Sequence, residues 1–465
     1  MDPIDRIKNI LGPKGWVAEP DETKPYLSEW RGVYAGRAAL VARPASTEEV
    51  SKVVAICHEA GIPVVPQGGN TGLCAAAVPQ DDRSVLLNLG RMNRLRDVDP
   101  ANQTMTVEAG CILQQVQQHA DQHGLLFPLS LGAEGSCQIG GNLATNAGGN
   151  SVLKYGNTRE LTLGLEVVLA DGQVWNGLSG LRKDNTGYDI KQMFIGSEGT
   201  LGIITAATLK LFPKPKAKET GLVGLPSLDA AVSFFGRMRA ATGDALSAFE
   251  LIPRFGIDLA LKNVPGSEDP LSSPFPWYVL FDISLFEDKE PGAASEAGLE
   301  AAMEAGEVED GVIAQTLDQA RRLWFLREAI VEGERLELGS IKHDVSLAIS
   351  DIPDFIETTT DAVAQTFPGL RVSAFGHVGD GNIHFNVLRA EDQDRATLLA
   401  QADAISTLVY DAVSARRGSI SAEHGIGLSK RDAFLKYTDP LEIELMRLVK
   451  RVFDPRGIMN PGKVL

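Results

Sequence analysis

The residues of this 465-residue chain that could do chemistry gather in its second half. Only seven histidines occur, at 58, 119, 123, 343, 377, 384 and 424. His377 and His384 lie in FGHVGDGNIHFN, residues 375–386, whose three glycines imply a tight turn. His384 and Asn386 are two apart and so share one face of the strand expected after that turn. A second glycine-bracketed string, AEHGIG at 422–427, carries Glu423 and His424. Two imidazoles and one carboxylate form a donor set with open positions that suits Zn²⁺ or Fe²⁺. Spacing alone leaves another reading open, in which the two histidines only hydrogen-bond the backbone around their turn. His58, His119 and His123 fall in polar helical patterns and read as surface side chains.

Three glycine-rich strings precede these. The first is PQGGNTGL, residues 66–73, after the short apolar run 62–65. Gly68, Gly69 and Gly72 could take positive φ and turn successive amides toward an anion, with Asn70 and Thr71 adding side-chain hydrogen bonds. The spacing matches neither the dinucleotide fingerprint nor the P-loop, which weakens nicotinamide and P-loop assignments. The second, LGAEGSCQIGGNLATNAGG at 131–149, holds six glycines. A packed element would not carry so many at roughly 1 kcal/mol each, so a close approach to a flat ligand is the better explanation. The third is DNTGYDIKQMFIGSEGTLG at 184–202.

PQGGNTGL, GSCQIGGNLATNAGG and IGSEGTLGIIT together resemble the FAD-binding domain of vanillyl-alcohol oxidase-type flavoproteins, and the terminal NPGK resembles the same group. The resemblance spans nearly the whole chain. It implies FAD in an extended form with its diphosphate on the first loop. It implies FAD contacts from Pro66, Gly68, Gly69, Asn70, Thr71, Gly72, Leu73, Gly135, Ser136, Gly140, Gly141, Thr145, Gly148 and Gly149, joined by Gly199, Ile204 and Asn460. Some relatives tether the flavin through a first-loop histidine. None lies between His58 and His119 here, so noncovalent FAD is expected. Ala75 and Ala76 stand where relatives often carry glycine, a departure that matters little if both φ values are negative.

FGHVGDGNIHFN and AEHGIG resemble the D-lactate and D-2-hydroxyglutarate dehydrogenases of that group. The matching positions imply His377, His384 and Glu423 as ligands of a divalent metal, zinc first, and His424 as the base. Oxidising a 2-hydroxy acid removes a hydroxyl proton and a hydride from C2. A metal would acidify the hydroxyl, a neutral histidine would accept the proton, and flavin N5 would take the hydride. Asn386 could hold the C1 carboxylate. In the 2-hydroxyglutarate enzymes an arginine and a lysine matching Arg327 and Lys342 grip the distal carboxylate, whereas D-lactate relatives typically lack the lysine. D-2-hydroxyglutarate is therefore the first substrate expected, with D-lactate or D-malate as alternatives. Val331 stands where some 2-hydroxyglutarate enzymes have threonine, a loss of one donor worth roughly 1 kcal/mol. A flavin-bearing, non-catalytic subunit of a larger oxidase complex is the reading from another class. Glu423, His424, His377 and His384 together argue against it.

The elements that must position these groups follow from pattern. Residues 1–216 read as the FAD-binding domain, 217–417 as an α+β substrate (cap) domain with an antiparallel sheet, and 418–465 as a segment returning to the flavin and metal site. The fold class is α+β. The proline- and lysine-rich run 212–218 reads as the linker. Helices are expected over 47–60, 225–239, 287–307 and 318–333, and strands over 39–41, 64–65, 85–89, 104–107, 276–284, 372–375 and 383–387.

A net charge of −17 argues against nucleic acid as partner. Cys57, Cys74, Cys111 and Cys137 contain no CxxC pair, which disfavours a disulfide framework or an iron–sulfur cluster. Reduced thiols, an N-terminus without an apolar signal region and no membrane-length apolar run lead to a cytoplasmic expectation. A homodimer is the default assembly. The electron acceptor, whether electron-transfer flavoprotein, quinone or cytochrome, is left open.

Overall fold

The computed structural model describes every residue except 288, 289 and 291. Its chain packs as two units. One comprises Met1–Gly149, Tyr155–Lys214 and Glu423–Leu465; the other comprises Asn150–Lys154 and Pro215–Ala422. The assignment of residues 150–154 to the second unit has no counterpart in the sequence pattern.

In the first unit, Thr47–Ala60 is helical because both ends are closed locally. The Ser46 hydroxyl accepts from the Glu49 amide at 3.2 Å, and Gly61 ends the helix in the left-handed conformation at φ 63°. Its Val50, Val53, Val54 and Cys57 are buried in one core with Leu40, Val64 and Val85. Those three residues begin the strands Leu40–Ala42, Val64–Gln67 and Val85–Asn88, which pair in parallel with Val85–Asn88 in the middle. Trp16–Val17 adds an antiparallel edge.

A second, antiparallel sheet runs in the order Leu95–Asp99, Thr104–Glu108, Ile203–Lys210, Thr162–Val168, Val174–Gly177. Its central strand is buried on both faces up to Lys210, which is why that segment reads as a near-continuous apolar run. The C-terminal helix Pro440–Phe453 starts on the Asp439 carboxylate, which accepts from the Leu441 amide at 2.8 Å. Lys450 pins the helix. Its Nζ donates to the Thr200 carbonyl at 2.6 Å, the Met459 carbonyl at 2.8 Å and Asp454 at 2.6 Å. Burial pulls the Lys450 pKa down, and Asp454 opposes that pull.

In the second unit, an antiparallel sheet has the order Leu246–Pro253, Trp277–Leu285, Ala217–Leu225, Asp310–Ile313. The helix Leu317–Leu336 packs through Leu323, Leu326, Ala329 and Ile330 into one core with Leu222, Ile252 and Tyr278. A three-stranded antiparallel sheet, Ser340–Ser346, Asn382–Leu388, Arg371–Phe375, has the middle strand flanked by the other two. A bridge from Leu251 to Gly376 joins the two sheets.

Element types match the sequence expectations, but several limits move. The helix expected at 225–239 is Leu228–Thr242, started by the Ser227 hydroxyl on the Ala230 amide. The helix expected over 287–307 is Glu296–Glu304, and 288, 289 and 291 lie outside the described residues. The expected linker 212–218 is shorter, since Phe212–Pro213 pairs with Leu125–Leu126 and a strand resumes at Ala217. All four cysteines are buried, and none of them forms a disulfide among the described residues.

Removing a buried cation while leaving its carboxylate costs about 3–5 kcal/mol. Asp454 is buried. Lys450→Met is therefore expected to lower the thermal midpoint of the purified protein by several degrees. Lys52→Met, which removes an exposed helical ion pair with Glu48, should leave it nearly unchanged.

Candidate active site

The first glycine loop leaves the end of the buried strand Val64–Gln67. It opens a cleft in the first unit. Pro66, Gly68, Gly69, Asn70, Thr71, Gly72, Gly140, Gly141, Thr145, Gly199 and Ile204, each expected to contact FAD, line this cleft. Leu73, Gly135, Ser136, Gly148, Gly149 and Asn460 stand outside its lining.

The glycines divide into two kinds. At Gly72 and Gly141 an added Cβ would meet no atom within 4 Å and would occupy the cleft itself. At Gly69 it would sit 2.2 Å from the Ser136 carbonyl oxygen, and at Gly149 1.9 Å from that of Ser130. These glycines let one loop close on another. Close approach to a ligand thus explains only part of the glycine richness, and backbone packing explains the rest.

The backbone corrects a further expectation. Gly68, Gly69 and Gly72 do not take positive φ; Asn70 does, at 54°, and so does Ala75, at 56°. The Asn70 side chain compensates by donating to the Ser28 carbonyl at 2.7 Å. Ala75 therefore occupies a conformation that favours glycine, and the departure at this position carries strain.

Polar groups that the sequence pattern did not single out also face the cleft. Gln138 lines it, and its Oε1 is buried without a hydrogen-bond partner among the described residues, an acceptor suited to a ligand hydroxyl or amide. Glu198, from IGSEGTLG, is a strut. Its two oxygens accept from the Ile426 amide at 2.7 Å and the Gly427 amide at 2.8 Å. This fixes the loop that carries Glu423 and His424 in the same unit. Burial raises the Glu198 pKa, and these amides, with Lys430 and Lys463, oppose the rise. Asn460 completes the strut by donating to the carbonyls of Glu198 at 2.7 Å and Ala76 at 3.0 Å.

The other candidate residues lie in the second unit. Strand register puts Lys342 opposite Asn386, Asp344 opposite His384, and Ser373 and Phe375 opposite Asn386 and His384 on the far side. One face of the sheet thus carries a lysine, an aspartate, a histidine and an asparagine. The other presents Val345, Ile383, Phe385 and Val387 to the core. His343 points to that second face, with Nδ1 at 2.8 Å from the Phe385 carbonyl and Nε2 at 3.1 Å from Ser406 Oγ.

Arg327 is buried rather than on the surface. Its guanidinium stacks on Phe375 at 4.7 Å, and the Phe375 and His384 rings lie 5.3 Å apart. The His377 and His384 rings are 5.6 Å apart.

Two buried carboxylates engage these groups. Glu250, 1% exposed, accepts from Arg327 Nε at 3.0 Å through one oxygen and meets His377 Nδ1 through the other. Burial would raise its pKa, but the charges of His377 and Arg327 outweigh burial and keep it ionised. Glu334, fully buried and two helical turns beyond Arg327, accepts from Asn386 Nδ2 at 2.8 Å. Burial raises its pKa, and the Lys342 charge is the first force pulling it back. The only signal for Glu250 in the sequence was one acid inside the apolar strand segment AFELIP, and the register needed to interpret it was not visible.

Residues 38–177 match the family model described as an FAD binding domain, and residues 214–464 match the C-terminal domain of FAD linked oxidases. The chain is 41% identical to a probable mitochondrial D-2-hydroxyglutarate dehydrogenase of Oryza sativa subsp. indica, over 100% of this chain and 82% of the relative. It is 37% identical to a putative mitochondrial D-lactate dehydrogenase of Schizosaccharomyces pombe, over 99% and 89%. The crystal structure of p-cresol methylhydroxylase with substrate bound aligns with a TM-score of 0.78 at 18% identity, over 99% of this chain and 96% of that one, a likeness of fold.

Both relatives are named mitochondrial, which overturns the cytoplasmic expectation. Buried thiols outside any disulfide fit any reducing compartment and could not distinguish the two. Among the described residues, no helix is long and apolar enough to cross a membrane.

Gly141→Ala adds a Cβ that meets no neighbouring protein atom within 4 Å and stands in the cleft. The purified variant is expected to keep its circular dichroism spectrum while its flavin absorbance per chain falls at least about tenfold, a loss of roughly 1.4 kcal/mol or more in binding.

Proposed function

This chain belongs to the FAD-dependent D-2-hydroxyglutarate/D-lactate dehydrogenase family, and from that premise we propose that it oxidises D-2-hydroxyglutarate to 2-oxoglutarate. The observation that carries the substrate is the pair of cations in the second unit. Arg327 is buried against Phe375, and Lys342 stands across the strand from Asn386. A second carboxylate, beyond the one at C1, needs a cationic grip of this kind. In this reading Asn386 takes the C1 carboxylate, and Arg327 and Lys342 take the distal one.

The residues also fit a divalent metal. His377 and His384 offer imidazoles from one turn, and Glu250 on His377 Nδ1 leaves Nε2 as the nitrogen to meet an ion. Glu423 is peptide-bonded to Ala422, whose amide donates to the Asp344 carbonyl at 3.3 Å, and Asp344 pairs with His384. His377, His384 and Glu423 would hold the ion, zinc first, and FAD would be held noncovalently.

When bound, FAD supplies the two-electron acceptor and the ion a Lewis acid for the hydroxyl oxygen. His424 accepts the hydroxyl proton as C2 gives up its hydride. The amides of Ile426 and Gly427, fixed on Glu198, keep the His424 loop in one conformation. The electrons leave to a separate acceptor, electron-transfer flavoprotein, quinone or cytochrome.

D-lactate is the second reading, and a specific observation favours it. Glu250 already engages Arg327, and Glu334 already attracts Lys342. Val331 is exposed and offers no hydroxyl.

Anaerobic mixing with D-2-hydroxyglutarate, D-lactate and D-malate in turn, followed by flavin bleaching, separates these readings. D-2-hydroxyglutarate is expected to bleach fastest. Lys342→Ala should cut its kcat/KM about tenfold to a hundredfold, the worth of one charge-assisted hydrogen bond, and leave D-lactate within about twofold. Faster bleaching by D-lactate, indifferent to Lys342→Ala, would overturn the dicarboxylate assignment. Glu250→Gln keeps the shape of the site but loses the charge that orients His377. Its zinc affinity, measured by competition with a chelator, should fall about tenfold to a hundredfold.

A further inference from the structure

The helix Pro440–Phe453 has two apolar faces, and the first unit uses one. Ile443 is buried, while Val449 and Phe453 pack on the core. On the other side Leu441, Leu445, Leu448 and Val452 are 62%, 53%, 45% and 77% exposed. Their spacing of four, three and four residues is that of a coiled-coil seam. At about 100° per residue the four fall within a stripe roughly 60° wide.

Charge along the helix is ordered as well. Glu442 and Glu444 lie toward its start, and Arg447, Lys450 and Arg451 toward its end. Glu444 and Arg451 are both exposed and flank the seam on the same side, seven residues apart. Neither has an ion-pair partner among the described residues.

We propose that this helix face is the homodimer contact, formed by two copies packed antiparallel about a twofold axis. Pairing Leu441 with Val452 and Leu445 with Leu448 of the other copy closes the four-residue seam on itself, as an isologous contact requires. The same register brings Glu444 of each copy beside Arg451 of the other, twice by symmetry. The helix segment itself carries two acids and three bases, so it is a locally balanced patch on a chain of net charge −17 and can meet its own copy without the general repulsion. Seven residues separate Lys450, fixed to Thr200 and Asp454, from Ile443, so the seam stands on a rigid base.

Four apolar side chains per copy place the contact at the small end of stable interfaces, with a dissociation constant of about 1–10 µM. Sedimentation of the flavin-loaded protein over about 0.1–50 µM should show the mass rise from one 49.8 kDa chain toward twice that value. Leu445→Glu should hold it at the single-chain mass. Glu444→Arg and Arg451→Glu should each weaken association at least about tenfold, and the double variant should restore it. All these positions are exposed, so the fold is expected to survive. A wild-type protein that stays at the single-chain mass throughout, a dimer indifferent to Leu445→Glu, or a double variant no better than either single one would overturn the proposal.

Discussion

A charge taken out of water must be answered at once by another charge or by several hydrogen bonds, and Glu250 is where the second unit meets that demand. Its two oxygens are divided between Arg327 and His377. One carboxylate thereby sets the position of a cation suited to substrate and of an imidazole suited to metal. The strand Leu246–Pro253 supplies the acid, the helix Leu317–Leu336 the arginine, and the turn after Arg371–Phe375 the histidine. The bridge from Leu251 to Gly376 keeps strand and turn in register. Without that compensation neither Glu250 nor Arg327 could stay buried as a charge.

Glu198 answers the same constraint in the first unit with a different chemistry. It has backbone amides where Glu250 has cations. Amides fix a loop without bringing a second charge onto it. Glu334 is the third case, partnered by the Asn386 amide and the Lys342 field. The three carboxylates mark the three segments that bear candidate catalytic or binding groups.

The glycine-rich strings show how one composition serves two purposes. Gly72 and Gly141 leave space, while Gly69 and Gly149 remove a side chain so that two backbones can touch. A sequence reports that glycine is present and not which of these it does. The positive φ assigned to the glycines of the first loop belongs instead to Asn70 and Ala75.

The sequence by itself determined the α+β class, the glycine loops of an FAD-binding domain and the motif pair around His377, His384, Glu423 and His424. Those properties are written in local strings, where spacing and residue type carry the information. Helix starts such as Ser46 and Ser227 were legible for the same reason: a cap is a contact between near neighbours. Tertiary structure alone decided that Arg327 is buried against Glu250, that Glu198 holds the amides of Ile426 and Gly427, that Glu334 holds the Asn386 amide, and that residues 150–154 join the second unit. Glu250 and His377 are 127 residues apart in the chain, and Glu198 and Ile426 are 228 apart. Nothing local in either segment encodes the other. Such pairs are chosen by strand register and by the cost of burying a charge, and those terms exist only once the chain has folded.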